Sequence, residues 1–183
     1  MEIIQIVCDD NIYYFSGNNF FDEFFIALEG DELRKVAHEY FNSIPYQTLN
    51  SQEFLAFVKQ VKNCGLIYKA KKVIEFAIVH KGNDVQLLHS LLPIYTSCCR
   101  ILNQPETAIE CAEHLLPICG GSCATYTSLA AAYCDIQDYK NAKKYAGIAY
   151  AKQGGGKGYQ TEISLVFKRL KKETGETPDN KEE

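Results

Sequence analysis

The chain has 183 residues, 46% of them apolar and 23% charged, with a formal net charge of −4. That is enough apolar material for one globular body or a short solenoid with a continuous core. The acidic balance (pI ≈ 5.6) argues against a nucleic-acid binder, whose phosphate contacts need a basic face. No apolar run reaches the roughly 20 residues of a spanning helix, and Met1–Cys8 has no basic n-region of a secretory signal. A cytoplasmic location away from membranes is therefore the expectation.

The first element reads as a strand pair over residues 1–17. Ile3-Ile4-Gln5-Ile6-Val7 and Ile12-Tyr13-Tyr14-Phe15 are β-branched and aromatic runs, separated by the turn formers Asp9, Asp10 and Asn11. From about Asn19 the period becomes helical. Phe20, Phe21, Phe24, Phe25 and Leu28 make one apolar stripe, and Leu33, Val36, Ala37, Tyr40 and Phe41 a second, ended near Pro45. Asn50 and Ser51 are candidate N-caps for the next helix, whose face carries Phe54, Phe57, Val58 and Val61. The chain turns at Asn63-Cys64-Gly65 and returns through Ala70, Val73, Ile74, Ala77 and Ile78.

Lys81-Gly82-Asn83-Asp84 reads as a loop. A helix then runs from Leu87 to Ile101, with Pro93 expected near its first turn, where a missing N–H is tolerated. After the turn at Asn103-Gln104-Pro105, a helix over Glu106–Leu116 is expected to close at Pro117 and Gly120-Gly121. Cys123–Ile136 and Tyr139–Ala151 form a further pair. Gly154-Gly155-Gly156 interrupts the chain. A final amphipathic helix then carries Ile163, Val166, Phe167 and Leu170 on one face, with Lys168, Arg169, Lys171 and Lys172 off it. The tail, 174–183, is polar and reads as disordered.

One rhythm connects these helices. Val36, Ala70, Ala108 and Ala142 stand 34, 38 and 34 residues apart. Each sits in the second helix of a pair, where a small side chain lets two helices approach closely. The loop Lys81–Asp84 is the apparent source of the four extra residues in the second interval. A fixed period of this length marks stacked helical hairpins.

The segment Tyr126–Ala149 resembles a tetratricopeptide repeat, with Tyr126, Leu129, Ala130, Tyr133, Tyr139, Ala142 and Ala149 at that family's positions. Weaker versions precede it: Leu92, Tyr95, Thr96, Cys99, Ala108 and Leu115; then Phe54, Phe57, Val58, Val61, Gly65, Ala70 and Ala77; then Phe20, Phe24, Ala27, Leu33, Val36 and Tyr40. Only Gly65 supplies glycine at the family's turn position. The resemblance implies an all-α fold, a right-handed α-α superhelix of helix pairs over 18–152 (about 18–48, 51–84, 89–121 and 123–152). A linker and capping helix would follow at 153–173, and the small β-hairpin would precede it.

The resemblance also implies a concave groove lined by the first helix of each pair, built to hold a protein or peptide. Its expected positions are Phe21, Phe25, Leu28, Lys59, Lys62, Asn63, Ser97, Arg100, Ile101, Thr127, Ala131 and Asp135. Lys59, Lys62, Asn63 and Arg100 are the groups able to hold a carboxylate or backbone carbonyls; ordinary solvated charge is the competing reading. Ser97, Thr127 and Ala131 do not fit the family's clamp for acidic tail ends. The function expected is a non-catalytic scaffold or adaptor, without a cofactor. The rivals are a homodimer formed through the hairpin or the phenylalanine-rich helices, and a peptide sensor relaying to another protein.

Other chemistry finds less support. Cys111, His114, Cys119 and Cys123 have a spacing loosely like a zinc site but lack paired CxxC motifs, and the eight cysteines read mainly as small apolar residues. Gly154–Gly158 includes a Gly-Lys pair, but no strand precedes it and no Ser or Thr follows the lysine, as a phosphate loop requires. His38, His80, His89 and His114 are scattered, with no nucleophile signature around them.

Overall fold

The structure, a computed structural model, describes residues 3–8, 11–16, 30–153 and 160–175. The expected helix over Phe20–Leu28, with Phe21, Phe25 and Leu28, lies outside these residues. So do the glycine run 154–158 and the tail from 176. Among the described residues the protein is predominantly helical, with eight α-helices. None of them is long and apolar enough to cross a membrane. The chain divides into two compact units, Met1–Val73 and Ile74–Glu183.

In the first unit, β1 (Ile3–Cys8) pairs antiparallel with β2 (Asn11–Ser16), Ile3 opposite Ser16 and Cys8 opposite Asn11. Helix α1 (Gly30–Ser43) follows, then a 3₁₀ turn at Tyr46–Thr48 and α2 (Ser51–Asn63). Of the two candidate caps, Asn50 is the one used. Its side chain accepts from the N–H groups of Gln52 and Glu53, and Glu53 accepts from the N–H of Asn50, a reciprocal box that satisfies otherwise orphaned donors. Phe41 of α1 meets Phe57 of α2 edge to face at 5.4 Å, and Tyr46 stacks on Phe57 at 5.8 Å. Helix α3 (Ile67–His80) begins in this unit, where the Lys69 ammonium donates to the Asn42 side-chain oxygen.

The second unit contains α4 (Val85–Ile101), α5 (Pro105–Cys119), α6 (Cys123–Asp135), α7 (Tyr139–Ala151) and α8 (Gln160–Thr174). Asp84, Ser122 and Asp138 cap α4, α6 and α7 with their side chains. On α8, Ile163, Val166 and Leu170 are buried. Tyr126 and Phe167 flank a small core of Cys123, Ala149 and Ile163, so the last helix covers apolar side chains of α6 and α7. Val36, Ala70, Ala108 and Ala142 are all fully buried, as close helix approach requires.

Three expectations need correction. The four extra residues of the long interval are in α4 itself, not in the loop Lys81–Asp84. Helix α4 has 17 residues against 13 in α2 and in α6, and it starts at Val85, ahead of the expected unit start at 89. Four residues are about one helical turn, so the insertion leaves the apolar stripe on the same face. Pro93 accordingly lies inside α4 rather than near its first turn, and the His89 carbonyl four residues earlier loses its helical donor. Pro117 does not end α5, which continues to Cys119 and stops at Gly120. Gly120 has φ 68° and ψ −178°, a conformation essentially reserved for glycine.

The turn inside each pair is also more uniform than the sequence shows. Gly65, Asn103 and Gln137 all have positive φ, at 76°, 57° and 62°. The residue after each donates its N–H back five residues: Leu66 to Val61 at 3.2 Å, Gln104 to Cys99 at 2.8 Å and Asp138 to Tyr133 at 2.9 Å. The same left-handed helix stop is thus made once with glycine and twice without it.

Candidate cleft between helices four, six and eight

The second unit carries the candidate site. Ser97, Arg100 and Ile101 come from the end of α4, Asn103 from the turn after it and Pro105 from the first position of α5. Helix α6 contributes Thr127, Ala131, Cys134 and Asp135. Helix α8 presents Glu162, Leu165, Val166 and Arg169, whose i, i+3, i+4, i+7 spacing makes one face. Between them lie two adjoining clefts of about 360 and 290 Å³. Ser97, Arg100 and Arg169 border both.

Asp135 is the hub. Its Oδ2 accepts from Arg100 Nε at 2.6 Å, and its Oδ1 accepts from Arg169 Nη1 at 2.5 Å. Arg169 Nη2 also donates to the Cys134 carbonyl at 3.1 Å. The three side chains are 29%, 25% and 41% exposed for Arg100, Asp135 and Arg169, so the network sits at the mouth of the clefts rather than in the core. Burial pushes the Asp135 carboxyl up, but hydrogen bonds and charge from both guanidinium groups outweigh this and hold it below its ordinary value. Two cations share one anion, leaving a net charge of +1.

Expected groove residues are thus placed unequally. Ser97, Arg100, Ile101, Thr127, Ala131 and Asp135 are brought together around the two clefts. The Thr127 hydroxyl is already committed, donating to the Cys123 carbonyl at 2.9 Å, and the residue is buried; it supplies wall rather than a polar contact. Lys59 and Asn63 are exposed and Lys62 half-buried on α2, in the first unit. Arg169, off the apolar face of its helix by the sequence pattern, is a central member of the site. The signal was present: Arg169 is 34 residues beyond Asp135, one repeat period.

A second missed feature lies at the seams between pairs. Tyr95 of α4 donates its hydroxyl to Glu75 of α3 at 3.3 Å, and Tyr133 of α6 donates to Glu113 of α5 at 2.5 Å. Each glutamate stands five residues after a period-marking alanine, Ala70 or Ala108. Burial, then the Glu113 bond, push the Tyr133 hydroxyl well above its ordinary range, so it stays a donor at neutral pH.

The zinc reading of Cys111, His114, Cys119 and Cys123 meets no supporting geometry. His114 is exposed, Cys119 Sγ lies 3.4 Å from the Gly120 carbonyl, and no group of three metal-ligating side chains converges among the described residues. The seven cysteines from Cys64 to Cys134 are free thiols. In Cys64 burial pushes the thiol up to about 11.

No protein-family model matches the chain, and no curated protein or solved structure matches it.

Proposed function

We propose that the protein is a non-catalytic scaffold that holds a peptide or protein segment, its helix pairs forming a short tetratricopeptide-type superhelical array, with the N-terminal hairpin and α8 at its ends. The observation that carries this reading is the pair of clefts sharing Ser97, Arg100 and Arg169, on the helices whose counterparts line the groove in that family. Exposed apolar side chains flank the charges: Ile101 and Leu165 are each 59% exposed. Charged donors beside uncovered apolar surface suit a peptide's mixture of polar backbone and apolar side chains.

Ser97 borders both clefts, so Ser97→Trp fills them while leaving the ion pairs in place. Affinity capture with mass spectrometry should recover partners with the unaltered chain and lose them with this variant, provided both give the same far-UV circular dichroism and melting temperature. Equal recovery by a folded Ser97→Trp chain would move binding elsewhere. The rival is self-association by strand addition, since each strand of the two-stranded sheet pairs on one side among the described residues. It requires a dimer by light scattering that becomes a monomer when residues 1–17 are removed.

A further inference from the structure

The network around Asp135 is charged asymmetrically, and the excess lies on one side chain. Arg169 spends Nη1 on Asp135 and Nη2 on the Cys134 carbonyl. Arg100 spends only Nε. Its two terminal nitrogens carry four N–H donors and no partner among the described residues, and Arg100 lines both clefts. A guanidinium has a fixed fork that matches a carboxylate. Asp135 does not use these remaining donors: its oxygens meet Arg100 through Nε and Arg169 through Nη1.

The larger cleft also limits what can occupy it. At about 360 Å³ it is near the lower end of small-ligand sites, room for one acidic side chain and its neighbours rather than a folded domain. Beside it Ile101 is uncovered. Each cleft is lined by Arg100, Arg169 and one carboxylate, Asp135 in the larger and Glu162 in the smaller; Asp135 is already paired with both guanidinium groups, and Leu165 and Val166 add apolar wall to the smaller cleft.

Resting on the peptide-binding reading above, we propose that Arg100 is the recognition point for a carboxylate of a partner peptide, an Asp or Glu side chain with apolar neighbours that cover Ile101 and Leu165. Asp135 acts as a built-in competitor: it orients the guanidinium through Nε and spends part of its charge. The chain's own segment 176–183 is acidic, with Glu176, Asp179, Glu182 and Glu183, but it has no large apolar residue and fits the uncovered isoleucine and leucine poorly.

The test uses two pools of fluorescein-labelled heptapeptides, one with Glu at the centre and Leu, Ile or Phe on either side, the other with Gln in place of Glu, read by anisotropy on the full chain. The Glu pool should bind about tenfold more tightly than the Gln pool, the gain of a charge-assisted bidentate pair. Arg100→Gln should erase that difference. Asp135 keeps Arg169 in this variant, so folding is retained, and an unchanged melting temperature confirms it. Asp135→Asn, assayed where it is folded, should tighten the Glu pool about threefold or more and leave the Gln pool unchanged, because a competitor has been removed. A purely structural Asp135 would give the opposite sign. Equal binding by both pools that Ser97→Trp abolishes would sink the carboxylate inference and leave the peptide-binding reading standing. Binding by neither pool would also sink the inference, with the capture experiment still deciding the broader reading. A Glu peptide that binds only after removal of residues 176–183 would give the cleft to the chain's own tail and overturn an external occupant.

Discussion

The α4–α5 pair and the α6–α7 pair solve one packing problem in opposite ways. Helix α4 buries Leu87, Leu88, Leu91, Leu92 and Tyr95, and its partner α5 buries Ala108, Ile109, Ala112 and Leu115. The α6–α7 pair is richer in small residues: Ala130 and Ala132 are buried on one helix, Ala142, Ala146 and Ala149 on the other. Its buried bulk is Leu129 and Tyr133 of α6, and Tyr145 stacks between Tyr126 at 6.2 Å and Tyr133 at 5.3 Å. The family pattern is clearest in α6–α7 because that pattern describes small residues at close approaches. It fades in α4–α5, where α4 is leucine-rich and one turn longer. Resemblance therefore reports how a pair packs, not whether a pair is present.

The largest expected effects break this contrast from each side. Leu92→Ala should open a cavity that its neighbours cannot fill, costing about 2–5 kcal/mol in chemical unfolding; Leu92 is 1% exposed. Ala142→Leu should cost about 1–3 kcal/mol for the reverse reason, since the tight pair has no room for three more carbons. The converse substitution of leucine for Ala112, in the bulkier pair, should then be less damaging than Ala142→Leu. If Ala112→Leu proves the more harmful, the two pairs do not differ in packing as described.

Next in size is the ion network, which joins α4, α6 and α8. Asp135→Asn should lower stability by about 1–3 kcal/mol, between the worth of exposed pairs and the cost of orphaning a buried charge. The pH dependence has a definite sign. The folded carboxyl is held below its ordinary value near 3.8, so its contribution is complete above the unfolded-chain value and fades as pH falls through the lower folded one. The stability gap between the unaltered chain and Asp135→Asn should accordingly be constant from pH 7 to about 5 and shrink below about 4. A gap that persists undiminished at pH 2 would show that Asp135 acts through shape rather than charge.

Much of the helical frame was legible in sequence because it depends on local rules. The stripes of Phe54, Phe57, Val58 and Val61, or of Ile163, Val166 and Leu170, can face only one way on a helix, and Asn50 caps because its side chain suits orphaned N–H groups. The extra turn of α4 was not legible. A four-residue insertion in a helix preserves its apolar face, so it reads the same as a loop of four. Pro93 was placed by its rarity in helix interiors, a preference that a well-packed 17-residue helix overrode. The site was only half legible. Ser97, Arg100 and Asp135 follow from the repeat register, but Arg169 lies off the apolar stripe of α8 and carries no local signal of a partner. Its partner is 34 residues away, and only the packing of α8 as one more first helix brings them together. Hydrogen bonds such as Tyr133 to Glu113 are invisible for the same reason.

The smallest prediction sharpens the comparison at the turns, where the two pairs are alike. Asn103 stops α4 and Gln137 stops α6, both at positive φ. Asparagine tolerates the left-handed region better than glutamine, because its short side chain can bond locally, and glycine bears no Cβ penalty at all. Gln137→Gly should therefore stabilise the chain by up to about 1 kcal/mol: the strain relieved in the folded state exceeds the entropy that glycine adds to the unfolded one. Asn103→Gly should gain less, and Gly65→Ala should lose about 1 kcal/mol. The order is the point of the measurement. Chemical unfolding of the three variants should rank Gln137→Gly above Asn103→Gly above Gly65→Ala. An unchanged or lower midpoint for Gln137→Gly would mean that the glutamine side chain returns more at this turn than its backbone strain costs.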